Sequence, residues 1–272
     1  MLNRVTNLTM SANAQRTLQT QQSRLAELQE KATTLNKISR PSDDPAATAK
    51  ALETRSLLAA NAQYARNIDD GNTWLTAADS ALEQATNVMH RVKDLTVLAG
   101  NGSLPKSGKD AIANELDALN KELVAIANTK HLGRNIFAGN SDEPEAFSGS
   151  IPPAFKGAGV SPVERRISAT QTVQVDADGQ KIFGSGTGSV FDAINSISAA
   201  LKAGTAPTST QLGNVEARFS SIVDGRAEVG TRQAQLERAG AALDRVHRPE
   251  DGVDGLGVLI AAFHGEQAGF QL

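Results

Sequence analysis

The 272-residue sequence predicts a mainly α-helical fold, an antiparallel bundle or coiled-coil rod of long helices with a small β insertion. Four segments carry apolar residues at heptad spacing, which is typical of long helices that pack along a seam. Only ten residues are aromatic (eight Phe, one Trp and one Tyr), so aliphatic side chains must fill those seams. Residues 141–188 hold four of the nine prolines and no leucine, which favours short strands and turns there.

The composition excludes several classes of protein. Without cysteine, the chain has no disulfide framework, thiolate metal site or cysteine nucleophile. A net charge of −3 gives no basic bias toward nucleic acid or acidic lipid. The longest apolar run, residues 256–263, is far shorter than the roughly 18 residues that span a bilayer. The charge and the short apolar run therefore predict neither nucleic acid nor membrane as a partner. The N-terminus lacks the apolar region of a cleaved secretory signal.

The first helix is predicted over residues 8–38. Two rows of apolar residues repeat every seven positions on an otherwise polar segment, so the apolar stripe is narrow and suits one partner helix. The candidate assembly residues of this stripe are Leu18, Leu25, Leu28 and Leu35.

A helix-start motif follows, made of Pro41, Ser42, Asp43, Asp44 and Pro45. Pro41 ends the first helix, because the residue before a proline is disfavoured in the helical region. We expect Ser42 or Asp43 to cap the next helix, with Asp43 and Asp44 near the positive end of its dipole. Pro45 suits the first turn, where its missing N–H costs nothing.

The second helix is predicted over residues 45–99 and would span about 80 Å. Gly71 is its weak point, at about 1 kcal/mol relative to alanine. A third helix over 109–128 should fold back as an antiparallel hairpin. In the insertion, the alternation at 172–175, the Asp178-Gly179 turn signal and residues 181–183 predict a strand with a return strand. A short helix is predicted over 190–201.

The last long helix carries the most regular heptad pattern of the chain. Its apolar seam residues are candidate assembly positions, namely Leu212, Val215, Phe219, Ile222, Val229, Leu236 and Leu243. Arg226 and Gln233 interrupt one row, and polar residues at a seam fix its register. The pattern leaves open whether the partner helix belongs to the same chain or to another subunit.

No pattern predicts a catalytic, cofactor-binding or metal-binding residue. The four histidines form no metal-binding spacing, and residues 184–189 lack the spacing and the Lys-Ser/Thr ending of a phosphate-binding loop. The sequence therefore predicts neither a cofactor nor enzymatic activity.

Ordered motifs point to a known family. They lie at residues 37–47, 66–71, 74–82, 133–140, 179–184 and 224–232, with Phe147 and strand residues 172–175 between them. In this order they resemble the flagellin superfamily, and within it the hook-associated protein 3 family of hook–filament junction proteins. The resemblance covers residues 1–246. The Pro-Ser-Asp-Asp-Pro run and the small β insertion favour the junction family over filament flagellins.

The resemblance implies a structural adaptor that polymerises by coiled coils as a layer between the hook side and the flagellin filament. The implied partners are like subunits, the first hook-associated protein, flagellin and a flagellar export chaperone. The implied location is extracellular, in the bacterial flagellum, after export by the flagellar type III system. A minor flagellin is the alternative, and a cytoplasmic coiled-coil scaffold is less favoured.

The patterns and the resemblance together divide the chain into five parts. These are an N-terminal coiled-coil segment that is mobile in the monomer (1–42), two halves of a helical rod (43–140 and 190–246), a small β domain (141–189) and an atypical C-terminal segment (247–272). The last part contains five glycines between residues 252 and 269, which disfavour the expected terminal helix and suggest a truncated, frame-altered or divergent end.

Overall fold

The computed structural model describes residues 2–34, 42, 44–101, 104–150, 152–157 and 161–247. The chain divides into two compact units, Met1–Ala60 and Asn61–Leu272. Residues outside the described ranges include Leu35, Pro41, Asp43 and, of the predicted C-terminal segment 247–272, all but His247.

Unit 1 contains helix α1 (Leu2–Thr34) and the start of helix α2 (Pro45–Ala99). The helix α2 begins at Pro45, as predicted. The expected cap at Ser42 or Asp43 is corrected, since Asp44 Oδ1 accepts a hydrogen bond of 2.9 Å from the Ala47 N–H. Because Pro45 occupies the first helical position, the capping position falls on the residue directly before it.

Unit 2 contains the rest of α2 and all later elements. In chain order these are α3 (Lys106–Ala127), β1 (Lys130–His131), β2 (Arg134–Asn135), β3 (Glu164–Arg166), β4 (Thr172–Gln174), α4 (Gly179–Phe183), a 3-10 turn (Gly186–Gly188), α5 (Val190–Lys202) and α6 (Ser209–His247). Long helices with small strand pairs confirm the predicted fold class.

In unit 2, helices α2 and α6 pack antiparallel. Lys93 pairs with Glu216 at 2.7 Å, and nearer the start of α2, Asp79 pairs with Arg226 at 2.8 Å. Gly71, expected to be a weak point, is buried where the helices approach closely. A Cβ atom there would lie 2.8 Å from Leu236 Cδ1, so the missing side chain makes room for a core leucine.

Helices α3 and α5 form a second antiparallel pair. The Asn120 side chain donates to the Phe191 carbonyl at 3.1 Å, and Ser198 Oγ donates to the Ala113 carbonyl at 3.2 Å. The predicted hairpin of the second and third helices is supported by Arg91, whose guanidinium lies 2.6 Å from the Glu115 carboxylate. The bounds of α3 and α5 differ by at most three residues from the predicted ones.

The predicted return strand over 181–183 is wrong. Strand β4 pairs with β3, with Arg165 opposite Val173, and residues 179–183 form helix α4. The Asp178 side chain caps this helix by accepting from the Lys181 N–H at 3.0 Å. An Asp-Gly pair serves as a hairpin turn or as a helix start, and here burial of Ile182 and Phe183 favours the helix.

Half of the ten aromatic residues form one cluster between the insertion and the helices. Its members are Phe137, Phe147, Phe155, Phe183 and Phe191, with ring centroids 5.1 to 6.1 Å apart in the contacting pairs. Most contacts are edge-to-face, the arrangement that aromatic pairs prefer. The cluster joins the small strands and α4 to α5, so the insertion shares a core with the bundle.

Candidate assembly surface

Helix α1 exposes three predicted assembly leucines, and the fourth, Leu35, lies outside the described residues. Leu18, Leu25 and Leu28 are 57%, 58% and 64% exposed, and we call this set the leucine stripe. Seven- and three-residue spacings place these side chains on one helix face. Fully burying a leucine contributes about 1.5–3 kcal/mol, so a partner covering the stripe would gain several kcal/mol.

The start of α2 adds two exposed leucines to unit 1. Leu52 is 58% exposed and Leu57 is 49% exposed. Neither residue was among the predicted assembly positions, and in this alanine-rich segment a leucine carries no signal of its own exposure. Unit 1 therefore presents more unburied leucine than the first heptad pattern predicted.

The seam on α6 lies inside unit 2. Val215, Ile222, Val229 and Leu236 are at most 2% exposed. The other three predicted positions, Leu212, Phe219 and Leu243, are half-buried. Of the two alternatives for the partner helix, the structure has the one within the same chain, since Leu236 meets α2 at Gly71 and Phe219 packs its ring against His90 at 4.8 Å. A role of these residues in assembly stays a prediction.

Arg226 interrupts the apolar seam of α6 and pairs with two acidic side chains of α2. Its guanidinium donates from Nε to Asp79 Oδ1 at 2.8 Å and from Nη2 to Asp79 Oδ2 and Glu83 Oε2, each at 3.3 Å. The hydrogen bond to Asp79 raises the pKa of Arg226 above its usual value. This two-pronged pairing holds α6 at one register along α2.

A second arginine joins α6 to the strands. Arg232 donates to the Asp176 carbonyl at 2.6 Å and to Glu228 Oε1 at 2.6 Å. The hydrogen bond from Lys181 of α4, together with Arg232, holds the pKa of Glu228 below its usual range. The network therefore favours the ionised carboxylate that links α4 and α6.

Asp176 is the buried acid of this region, at 3% exposure. Its Oδ1 accepts a hydrogen bond of 2.8 Å from the Val163 N–H, which fixes the loop before β3. Burial raises the pKa of Asp176 despite this hydrogen bond, because the charged form loses its hydration.

The remaining kinds of site that the described residues could form are a metal site and a membrane-spanning helix. Among these residues, no group of three or more His, Asp or Glu side chains is placed to hold a metal ion. Within the same residues, no helix combines the length and the apolar character that crossing a membrane requires.

Comparison with known proteins decides the family. The model of the bacterial flagellin N-terminal helical region matches residues 5–142, just over half of the chain. The chain belongs to the bacterial flagellin family. The predicted resemblance is confirmed, because the matched segment contains the helix-start motif and the motifs at 66–71 and 133–140.

Individual relatives in this flagellin family include hook-associated proteins. The chain is 28% identical over 220 residues to flagellar hook-associated protein 3 of Escherichia coli, covering 80% of this chain and 65% of that protein. It is 30% identical over 159 residues to the Salmonella typhimurium protein of that name, covering 58% and 50%. The chain thus spans between half and two thirds of the length of these relatives.

A solved structure shares the fold. A putative flagellar hook-associated protein from Vibrio parahaemolyticus superposes with a TM-score of 0.66 and 19% identity, covering 84% of this chain and all of that one. At 19% identity this likeness supports the fold, long helices with small strand pairs, and carries no statement about function.

Proposed function

We propose that this chain is a structural subunit of the bacterial flagellum and not an enzyme. It forms the junction layer between the hook side and the flagellin filament, and it polymerises through coiled coils built on α1. Its partners are like subunits, the first hook-associated protein and flagellin, with an export chaperone before secretion by the flagellar type III system. Its location is extracellular.

The observation that carries this proposal is the contrast between the two units. In unit 2 the helical seams are buried, and in unit 1 the leucine stripe is more than half exposed. An isolated helix gains little stability without a packed apolar face, so α1 needs a partner to be ordered firmly. Neighbouring subunits in a layer would provide that partner.

The test replaces two leucines of the stripe. We expect the double variant Leu25→Glu/Leu28→Glu to be secreted with unit 2 folded but absent from isolated hook–filament junctions, in a strain lacking its own junction subunit. Charged side chains cannot be buried at an apolar seam without a large desolvation cost. The matched control is Leu98→Glu, at a helical leucine of unit 2 that is 51% exposed. Normal incorporation of the double variant would refute the role of the stripe.

A minor flagellin is the second candidate, and the family model of a flagellin region supports it. The two functions differ in what the purified protein builds. A filament flagellin should polymerise alone into long filaments, whereas a junction subunit should add only a short layer to hook ends. Electron microscopy of the purified chain, with and without isolated hooks, separates the two.

A further inference from the structure

The hairpin of β1 and β2 presents a leucine that is both strained and exposed. Leu132 and Gly133 form its two-residue turn, with φ angles of 49° and 83°. Among the described residues, Leu132 is the one non-glycine residue with a positive φ, a region that its Cβ atom disfavours. It is also 82% exposed, more than any other large apolar residue of the described ranges. Neither the turn geometry nor core packing therefore explains a leucine at this position.

Two basic side chains flank this leucine. Lys130 and Arg134 are exposed, and the Arg134 guanidinium donates to Asn140 Oδ1 at 2.9 Å. We call Leu132, Lys130 and Arg134 together the hairpin tip. An apolar anchor surrounded by polar or charged groups is typical of a protein–protein contact. The hairpin tip suits a surface that is apolar at its centre and acidic at its edge.

A groove of that character lies in the same unit, between α2 and α6, with a volume of about 430 Å³. Its apolar lining includes Ala65 and Ala241, which are exposed, and the half-buried Leu243. The charged residues of its described lining are all acidic and exposed, namely Asp69, Glu237 and Asp244. The groove is therefore complementary to the hairpin tip both in its apolar interior and in the sign of its charge.

The hairpin and the groove lie at nearly the same level on opposite sides of α2. The His131 ring of the hairpin packs edge-on against Trp74 of α2, with ring centroids 5.5 Å apart. Asn72, two residues earlier on α2, lines the groove. Two residues of a helix correspond to a rotation of about 200° and a rise of about 3 Å. One copy of the chain therefore presents the hairpin tip on one side and the groove on the other.

We propose that the hairpin tip of one copy docks into the groove of a second copy. Leu132 enters the apolar interior, and Lys130 and Arg134 pair with the acidic side chains of the groove. Because the two surfaces differ, the contact is heterologous, and its repetition side by side gives a ring or a helical layer. The inference rests on the proposed assembly of like subunits and assigns to it a surface of unit 2 that is separate from the leucine stripe.

The absence of cysteine from the chain makes this contact testable by crosslinking. The full-length single variants Leu132→Cys and Ala241→Cys are co-expressed in a strain lacking its own junction subunit, and the isolated junctions and filaments are oxidised. We expect a disulfide-linked dimer that requires both variants. The control pair, Val97→Cys with Ala241→Cys, should give none, because Val97 is 69% exposed but lies outside the hairpin.

The outcomes of this experiment distinguish the contact from the junction role. A dimer found in filaments and not in junctions would support the contact and refute the junction role. Both variants present in junctions without a dimer would refute the contact alone, as would a dimer formed by Leu132→Cys by itself. Absence of the chain from every assembly would refute both proposals.

A second variant separates docking from the folding of the hairpin. Leu132→Asn places a residue that tolerates a positive φ before Gly133, a pair that this type of turn prefers. Its urea midpoint should equal or exceed that of the wild type, whereas its amount in junctions should fall about tenfold, as expected when an anchor residue is removed. The control Val97→Asn, with similar helix propensity, should be incorporated normally. Normal incorporation of Leu132→Asn, or an equal loss in the control, would overturn the proposal.

Discussion

The packing of α4 on α6 can be tested by adding one methyl group. Gly225 is buried on α6, and a Cβ atom there would lie 2.6 Å from Ile182 Cγ1 and 2.9 Å from Ile182 Cδ1. Replacing a helical glycine with alanine contributes about 1 kcal/mol, whereas overpacking a core costs about 1–3 kcal/mol. Gly225→Ala should therefore lower the free energy of unfolding of unit 2 by roughly 0–2 kcal/mol.

A matched control on the same helix isolates the steric cost. Gly230 is exposed, and a Cβ atom there meets nothing within 4 Å. Gly230→Ala should raise the free energy of unfolding by about 1 kcal/mol, because only the helix propensity changes. The propensity cancels in the difference between the two variants, which should be about 1–3 kcal/mol, the overpacking cost alone.

The assay is urea unfolding followed by tryptophan fluorescence. Trp74 is the single tryptophan of the chain and is 3% exposed in unit 2, so its emission reports the unfolding of this unit. Removing the obstruction should reverse the effect, so Gly225→Ala should become stabilising in an Ile182→Ala background. The reasoning fails if Gly225→Ala stabilises the wild-type protein as much as Gly230→Ala does.

Three further predictions concern charge and order. Because burial raises the pKa of Asp176 above 3.8, its contribution to stability is full below pH 3.8 and is lost as pH rises through the folded pKa. The wild-type protein should therefore lose free energy of unfolding as the pH rises from about 4 to 7, and Asp176→Asn should lose less. Equal shifts of the urea midpoint with pH in the wild-type protein and the variant would contradict this. A double-mutant cycle of Arg226→Met and Asp79→Asn should give a coupling free energy of about 0.5–1 kcal/mol, which should decrease as the salt concentration rises. A coupling free energy that does not change with salt would argue against an ion pair. Trypsin should cut the free protein within α1 before it cuts unit 2, as judged by mass spectrometry, and uniform resistance would argue against a need for a partner.

The helices were predictable because their signals are local. Heptad spacing predicted that α2 is a long helix, the proline-aspartate motif predicted the residue at which it begins, and the turn composition of residues 100–105 predicted its end. The residue that caps α2 was not predicted, because Ser42, Asp43 and Asp44 all carry capping side chains and only the backbone geometry selects among them.

The partners of these elements were harder to predict. The heptads of α1 and α6 look alike in the sequence, yet Leu236 is fully buried and Leu25 is 58% exposed. Periodicity identifies an apolar face but not the surface that covers it. The same limit explains the mistaken return strand at 181–183, where contacts with α6 determine the structure.

The phenylalanine cluster also limits how this protein can be engineered. Removing residues 141–188 would delete three of its five rings and leave Phe137 and Phe191 facing water. The insertion therefore cannot be deleted or replaced without disrupting the core that it shares with the helices. A foreign epitope for display would be better tolerated in the turn between β3 and β4, where Ala169 and Thr170 are exposed and no ring of the cluster is disturbed.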